Sequence, residues 1–331
     1  MRLTVTGFER RRYPTGLAPA MRRNGRPVIR CAHIAQHGGI VVHRVLALCF
    51  LAFAALTCHA QTGEPGDRII VSGASGNLGE LTVQALLDRG VPASRLILVS
   101  RTPEELEKYA AMGASTRFGD FTRPESLPAA YEGGTRMLLI SIGGGRLPEP
   151  RPVLHKRAID AAIAAGVEQI VYTSWAAISQ GDEGGVSVDH VATEQILMES
   201  DVAWTILRNS VYMDGVPDQA RQMIESGRAV VPPNDVGMSY VTRADCAAAA
   251  AAVLTTPGHE NKIYDITGPA VVGTRDIAEA AAAVSGKAIE IVEGSTGGGF
   301  ALRSLAFTSP DFETLTGRPA TSVRELLEST L

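Results

Sequence analysis

Short apolar runs alternate with stretches of helical periodicity along residues 68–207, and this alternation predicts the elements of the fold. The apolar runs are rich in β-branched residues and lie at 69–71, 96–100, 116–118, 136–142, 168–174 and 202–207. Their length and composition are typical of strands that are buried on both faces. Strands that alternate with helices predict an α/β fold, with a doubly wound parallel sheet and right-handed crossovers.

The pattern changes after residue 210, where helical segments dominate. The predicted elements there are helices at 218–226, 246–254 and 274–285, short strands at 239–241 and 262–266, a flexible glycine-rich loop at 294–299 and a final helical turn or two at 323–327. Thr274 is the expected N-cap of the third helix. We expect residues 210–331 to form a small C-terminal substrate lobe over the strand ends, with the substrate held in the cleft between the two parts.

The stretch VSGASGNLG, residues 71–79, lies between the first predicted strand and the first predicted helix. Its glycines, Gly73, Gly76 and Gly79, recur every three residues. In a strand–turn–helix unit of the Rossmann type, such glycines permit a tight turn, a close backbone approach to a pyrophosphate and close packing of the helix on the strand. The N-terminus of the helix then faces the phosphates with its partial positive charge. A merely structural turn is the alternative interpretation.

Further polar residues follow the predicted strands. Arg101 stands where an acidic residue often holds the ribose 2′-hydroxyl of NAD. A basic residue at this position suits the 2′-phosphate of NADP, so Arg101 favours NADP(H). The alternative interpretation is an ordinary surface arginine. Asp120 would accept a hydrogen bond from an adenine amino group or cap the helix that begins near Pro124. Ligands of open α/β sheets bind at the carboxyl ends of strands, where the sequence places Ser141, Thr173, Ser174 and Asn209.

The first 60 residues differ in composition from the rest of the chain. Residues 1–44 contain nine arginines and one acidic residue, and we interpret them as a disordered leader. Residues 45–60 carry no charge, and their 14-residue apolar run follows Arg44 and precedes Ala60, a small residue suited to cleavage. This pattern predicts a secretory signal peptide, because 14 residues are too few for a comfortable membrane span. A membrane anchor or a buried helix is the alternative.

The remaining residues, 61–331, contain 22 basic and 34 acidic residues, a formal charge of −12. This acidic balance argues against nonspecific binding of nucleic acid. Cys246 is the only cysteine in this part of the sequence. The sequence therefore predicts neither an internal disulfide nor a zinc site of the cysteine-cluster type.

Eight stretches of the chain together resemble the NmrA-like, atypical branch of the short-chain dehydrogenases/reductases, and within it most of all the bacterial type 2 NAD(P)H:quinone oxidoreductases. They are VSGASGNLG (71–79), LVSRTP (98–103), GDF (119–121), LLIS (138–141), AAGVEQIVYTS (164–174), DHVATEQIL (189–197), ILRNSVY (206–212) and TRADCAAAA (242–250). The resemblance runs from about Arg68 to Lys287 and again over Thr316 to Leu327. Only the first stretch is specific by itself.

The resemblance implies a dinucleotide site and its residues. The phosphate-binding motif of such proteins matches Gly73, Ser75, Gly76, Asn77, Leu78 and Gly79. The resemblance further implies Arg101 at the 2′-phosphate, Asp120 and Phe121 near adenine, and Ser141, Thr173 and Ser174 along the approach to nicotinamide. This chain departs from the family between Val292 and Thr316, where it is shorter than the quinone reductases that it resembles. A helical part of the substrate lobe is therefore expected to be missing. The signal peptide is also unexpected for a family usually found in the cytoplasm.

Many short-chain dehydrogenases use a Tyr-x-x-x-Lys pair as their acid/base, and no tyrosine in this sequence has lysine four residues later. The matching position is His190, with Glu194 four residues further along the same helical face. A histidine there would donate a proton near neutral pH, or it would only cap or pack the helix. Tyr212, just beyond the sixth strand, is a second candidate for contact with substrate.

These features favour an NADPH-dependent oxidoreductase that transfers hydride to a quinone-like or small carbonyl acceptor. The alternative is a non-catalytic NADP(H)-binding sensor or regulatory protein. The expected partner is a small-molecule acceptor, with no nucleic acid and no stable membrane span after cleavage of the leader. The oligomeric state stays open, with a homodimer as one option.

The leader yields the first testable prediction. The basic flank, the apolar core and Ala60 should direct export and cleavage near Gln61, which places the mature protein in the periplasm or outside the cell. N-terminal sequencing of the natural protein measures this directly. An intact N-terminus in a cytoplasmic fraction would contradict the prediction and indicate a leader without function.

Overall fold

A computed structural model describes residues 67–143, 147–182, 184–294 and 303–331 of the 331-residue chain. The predicted leader (1–44) and signal region (45–60) lie outside these residues, and so does most of the predicted loop at 294–299. In the described part, no helix combines the length and the apolar composition needed to cross a membrane.

Seven parallel strands form the main sheet. They are β1 (Ile69–Ser72), β2 (Leu96–Ser100), β3 (Ser115–Phe118), β4 (Arg136–Leu139), β5 (Gln169–Trp175), β6 (Ala203–Asn209) and β8 (Lys262–Ile266). Their spatial order is β3-β2-β1-β4-β5-β6-β8, and every neighbouring pair is parallel. The predicted doubly wound parallel sheet is confirmed. Parallel neighbours need a crossover connection, and the helices between the strands supply it.

Helices cover both faces of this sheet. The longer ones are α1 (Asn77–Asp88), α4 (Arg151–Ala164), α5 (Val186–Met198) and α7 (Arg243–Thr255), and the short ones are α2 (Glu107–Ala111) and α3 (Leu127–Tyr131). Side chains of α1, α2 and α7 share one apolar cluster with alternate strand residues such as Val71 and Leu98. Side chains of α3, α4 and α5 share a second cluster with the intervening residues, such as Ile70 and Ile97. Alternation along each strand thus divides the core into two layers.

The alanines of α7 allow it to lie close to α1. Ala249, Ala250, Ala251 and Ala252 are all buried. Small side chains let two helix backbones approach, so the predicted role of this run in helix packing is confirmed by its place in the core cluster.

A second, smaller layer follows β6. Strands β7 (Arg228–Val231) and β9 (Glu290–Glu293) pair in parallel, and helices α6 (Val216–Ser226), α8 (Thr274–Ser285) and α10 (Val323–Thr330) pack with them around one apolar cluster. Helix α9 (Asp311–Thr316) instead packs against the main core through Phe312. Strands β7 and β9 were not predicted, since each is four residues long and has its partner some sixty residues away.

Three local predictions were wrong. Residues 239–241 form no strand: Val241 makes an isolated bridge with Tyr212, and the preceding Met238 makes one with Val272. Strand β4 ends at Leu139 instead of Ile142, because from Ser141 onward the backbone N–H groups donate to side chains; the N–H of Ile140 still donates to the carbonyl of Ser72. The N-cap of α8 is Gly273 and not Thr274. The backbone N–H of Gly273 donates to the carboxylate of Asp276 at 2.7 Å, which defines that helix start.

Candidate cofactor and acceptor site

The order of the strands defines where a ligand can bind. Chain order reverses between β1 and β4, which are neighbours at the centre of the sheet. In open α/β sheets such a switch leaves a crevice beyond the carboxyl ends of the strands. The turn after β1 and the ends of β2, β4, β5 and β6 therefore meet at one edge, which is the candidate site.

The turn after β1 is held in one conformation by its glycines. Gly73 has a φ of +95°, a left-handed conformation that other residues rarely adopt. A Cβ atom at Gly79 would overlap the carbonyl oxygen of Gly73 and approach Cα of Ala74 to 2.8 Å. The first glycine therefore serves the turn and the third serves helix packing, as predicted, and no side chain fits at Gly79 unless the turn moves.

Helix α1 presents an open N-terminus to the site. Its N-cap is Gly76, which is exposed and offers no side chain to the first N–H groups of the helix. Those N–H groups and the helix dipole favour an anion at this position. Asn77 is exposed there, whereas Leu78 points into the core. The backbone of this motif, more than its side chains, fits a pyrophosphate.

Arg101 is held beside the glycine turn by its two neighbours. The hydroxyl of Ser75 lies 2.7 Å from that of Ser100 and 3.5 Å from that of Thr102. The backbone N–H of Thr102 also donates to the Ser100 hydroxyl at 2.9 Å. Arg101 itself is exposed and makes no side-chain hydrogen bond or ion pair with any other described residue. Its guanidinium is thus available to a phosphate next to the turn, and Thr102 is a neighbour that sequence analysis missed.

Asp120 and Phe121 lie beyond β3. The carboxylate of Asp120 accepts two hydrogen bonds of 2.9 Å from the backbone N–H and the hydroxyl of Thr122. These bonds close a turn from Asp120 to Thr122 and do not cap the helical turn at Pro124–Ser126, whose N-cap is Arg123 and which has no side-chain cap hydrogen bond. The half-buried ring of Phe121 lies edge-on to the ring of His155, with centroids 6.4 Å apart. A contact of either residue with adenine stays a prediction.

Ser141 and Thr173 are brought together at the ends of β4 and β5. The backbone N–H of Ser141 donates to the Thr173 hydroxyl at 2.9 Å, and that hydroxyl lies 3.3 Å from the Ser141 hydroxyl, to which it donates. Ser141 is half-buried and Thr173 is buried. The pair forms one polar corner at the switch point, where a nicotinamide amide would need partners.

Ser174 has a different role from Thr173 because neighbouring residues of a strand point to opposite faces. Its hydroxyl donates to the buried carboxylate of Glu194 at 2.6 Å. Arg208 binds the same carboxylate through two nitrogens, at 3.0 and 2.6 Å. The hydroxyl of Ser174 is therefore committed to this buried ion pair, and a cofactor contact of Ser174 would have to come from its backbone.

His190 is 6% exposed and lies on α5 beneath the sheet. Its Nδ1 is 2.8 Å from the hydroxyl of Tyr172, a buried residue of β5. Burial, together with the charge of Arg151, lowers the pKa of His190 to about 4. The side chain is thus neutral near pH 7, and a role as proton donor stays a prediction that its low pKa weakens.

Tyr212 lies on the other side of the sheet. Its ring packs against the cluster of α1 and α7, whereas His190 contacts the cluster of α4 and α5. The guanidinium of Arg243 sits 4.3 Å from the centre of the Tyr212 ring. Burial raises the pKa of the Tyr212 hydroxyl, so it stays protonated. The structure does not bring the two predicted catalytic residues together.

Of the four buried side-chain polar atoms that lack a partner among the described residues, two lie at the ends of β5 and β6. They are Oδ1 of Asn209, a residue that is 3% exposed, and Nε1 of Trp175. These residues are direct neighbours in the register of β5 and β6, so their side chains leave the same face of the sheet. Buried polar atoms without partners are rare, and such atoms at strand ends suit a ligand. Asn209 is one of the residues that the sequence places at a strand end, whereas no sequence pattern indicated Trp175.

Comparison with known proteins agrees with this geometry. Residues 73–257 match the family of NAD(P)H-binding proteins. The chain is 34% identical over 225 residues to Quinone oxidoreductase 2 of Escherichia coli, which covers 67% of this chain and 76% of that protein. It is 29% identical over 226 residues to the NAD(P)H azoreductase of Xenophilus azovorans, which covers 68% of this chain and 76% of that protein.

A solved structure is similar over most of its length. It is the triphenylmethane reductase of Citrobacter sp. complexed with NADP(H), which superposes with a TM-score of 0.71 at 31% identity and covers 80% of this chain and all of that one. This chain belongs to the NAD(P)H-binding, NmrA-like family, and these relatives support an oxidoreductase.

The buried histidine on α5 leads to a prediction about pH. An unfolded chain protonates His190 below about pH 6.5, whereas the folded chain keeps it neutral until about pH 4. The unfolded state therefore binds more protons in this window, and the free energy of unfolding must fall as pH falls. Between pH 7 and pH 5, His190 alone should account for about 2 kcal/mol. Urea unfolding of the parent and of His190→Phe at both pH values measures this. If the free energy of unfolding fell by the same amount between pH 7 and pH 5 in the two proteins, the prediction would be wrong.

Proposed function

We propose that this protein transfers hydride from NADPH to a quinone-like acceptor. The observation that carries the proposal is the carboxyl edge of the sheet, where an open helix N-terminus, a tethered Arg101 and the Ser141–Thr173 corner follow one another across the switch point. The similarity to reductases of quinones, azo compounds and triphenylmethane dyes supports the same chemistry.

The residues present fit a dinucleotide with a 2′-phosphate. When bound, the cofactor would supply the hydride from its reduced nicotinamide ring. The glycine turn and the N-terminus of α1 would hold its pyrophosphate, and the exposed Arg101, which stands between Ser100 and Thr102 beside the turn, would pair with the 2′-phosphate. Ser141 and Thr173 would orient the nicotinamide end.

An apolar wall beyond β5 and β6 suits a flat aromatic acceptor. Trp175, Tyr240 and Phe307 are half-buried and pack around Met238 and Leu305. Such rings offer area for stacking, and the free polar atoms of Trp175 and Asn209 offer one donor and one acceptor next to it. A carbonyl compound with an aromatic ring meets both requirements.

The acid/base groups of the chain also favour a quinone over an alcohol or a simple ketone. All four lysines are exposed; none lies on β4, β5, β6 or α5, and Lys156 on α4 points to the surface, where it binds Asp160 at 2.8 Å. Reduction of a simple ketone leaves an unstable alkoxide that needs a placed acid. Hydride addition to a quinone yields a stable phenolate, which takes its remaining proton from water. Because His190 is neutral near pH 7, His190→Ala should lower the rate by about 10²-fold or less.

Export remains part of the proposal, on the pattern of the leader alone. A mature protein outside the cytoplasm would meet little reduced NADP, so export and NADPH-dependent turnover are in tension. A homodimer is likewise a proposal that the oligomeric state in solution would test.

The position of Arg101 predicts the choice of cofactor. The protein should bind NADPH more tightly than NADH, since only NADPH offers a 2′-phosphate to the guanidinium. Arg101→Asp should weaken NADPH binding by about 10- to 10²-fold, as expected for a charge-assisted hydrogen bond, and should spare NADH. Titration calorimetry measures both affinities. Arg228→Asp, at an exposed arginine of the small sheet, is the matched control and should change neither affinity. Equal affinities of the parent for the two cofactors would refute the assignment.

The proposed reaction is tested with a panel of acceptors. We expect NADPH oxidation with quinones and little activity with simple alcohols or ketones, because positioning supplies most of the catalysis here. Robust alcohol dehydrogenase activity would defeat the proposal. Tight NADPH binding without turnover of any quinone would also defeat it, and would favour the alternative of an NADP(H)-binding sensor.

A further inference from the structure

His155 is a fully buried histidine whose two nitrogens both make hydrogen bonds across element boundaries. It lies on α4, on the face packed against the sheet. Its Nε2 is 3.0 Å from the backbone nitrogen of Ile142, just beyond β4. Its Nδ1 is 3.0 Å from the hydroxyl of Thr193, on α5. One imidazole thus joins two helices and the loop that leads out of the central strand.

The donors in this chain of contacts determine the tautomer. The backbone N–H of Ile142 can only donate, so Nε2 of His155 must be an unprotonated acceptor. The hydroxyl of Thr193 donates its hydrogen to the carbonyl of Asp189 at 2.9 Å. It therefore accepts from Nδ1–H of the ring. The geometry requires a neutral imidazole that carries its proton on Nδ1.

The surroundings of the ring favour that neutral form. Burial, with smaller contributions from the charges of His190 and Arg151, lowers the pKa of His155 to about 3. Rings of Phe121 and Tyr172 lie edge-on to it, with centroids at 6.4 and 5.5 Å. A protonated ring would turn its Nε2–H toward the N–H of Ile142, and that contact would be lost.

The contact to Ile142 matters because strand pairing has already ended there. Strand β4 ends at Leu139, and the N–H of Ile140 still donates to the carbonyl of Ser72 at 3.3 Å; the two amides after it, those of Ser141 and Ile142, donate to side chains of Thr173 and His155. The loop continues into Gly143, which adds no restraint of its own. Thr173 from one strand and His155 from one helix thus hold consecutive peptide groups at the proposed nicotinamide position.

We propose that His155, as the neutral Nδ1–H tautomer, is a positioning residue that fixes the backbone of Ser141 and Ile142 for hydride transfer. The inference rests on the proposed function for its catalytic consequence. Its structural part, which is the tautomer of His155 and the restrained amide of Ile142, can be tested without measuring turnover. Catalysis by positioning is sensitive to displacements of about 1 Å, which can cost about 10²-fold in rate.

Nitrogen NMR of the full-length protein, labelled at histidine, tests the structural part without any substrate. We expect His155 to show a protonated Nδ1 and an unprotonated Nε2 at pH 7, and the amide of Ile142 to be protected from hydrogen exchange. A proton on Nε2, or rapid exchange at Ile142, would overturn the proposal. Both readouts are available even if the variants below do not fold.

Two substitutions separate the two ends of the ring. The side-chain oxygen of glutamine reaches the position of Nε2, so His155→Gln keeps an acceptor for Ile142. Asparagine is shorter and reaches only the position of Nδ1, so His155→Asn keeps the contact to Thr193 and loses that acceptor. We expect His155→Asn to lower kcat with a quinone by about 10²-fold, with NADPH affinity within about 3-fold of the parent. His155→Gln should stay within about 10-fold in kcat.

The control is His259→Gln, at a histidine that contacts Tyr264 and Thr256 before β8, and it should match the parent. Equal losses in the glutamine and asparagine variants, or a parallel loss of NADPH affinity, would show a merely structural role and overturn the proposal. If the parent turns over no quinone, the proposed function fails. The positioning role would then still be supported if amide hydrogen exchange at Ile142 were fast in the asparagine variant and slow in the glutamine variant. Equal exchange rates in the two variants would overturn the proposal.

Discussion

The contact between helix α1 and the turn after β1 is the constraint on which the site depends. Because Gly79 has no side chain, the helix backbone lies directly on the carbonyl of Gly73 and on Ala74. That approach points the open end of α1 at the crevice, with only a hydrogen at the N-cap residue. The hydroxyl of Ser75 then ties the same turn to the end of β2. One close contact thus sets the geometry of the phosphate-binding region and of Arg101.

Beyond that region, buried polar groups hold the strand ends in place. Glu194 is 3% exposed, and its carboxylate is satisfied by Arg208 and Ser174. A buried ion pair of this kind gives little net stability, but removal of one partner leaves a buried charge and costs about 3–5 kcal/mol. Arg208 also donates to Ser179 at 3.0 Å. The network therefore serves to join β5, β6 and α5 in a single arrangement.

The candidate site consists mainly of restrained backbone and neutral side chains. His155 and His190 both have lowered pKa values, and the tyrosines Tyr172 and Tyr212 have raised ones, in each case chiefly through burial. Groups in these states orient neighbours well and exchange protons poorly near pH 7. Such a site suits a reaction in which the cofactor supplies the electrons and the acceptor needs little help with its proton.

Sequence alone determined the parallel sheet, the glycine turn, the helix packing of the alanine run and Arg101 at the end of β2. These features depend on local patterns: apolar runs, glycine spacing and the residue next to a strand. Only the tertiary structure decided that Ser174 turns away to Glu194, that His190 and Tyr212 lie on opposite faces, and that β7 pairs with β9. It also revealed Trp175 and the contacts of His155. Those outcomes depend on which distant residues meet once the layers close, and no local pattern encodes the partner of a buried polar atom.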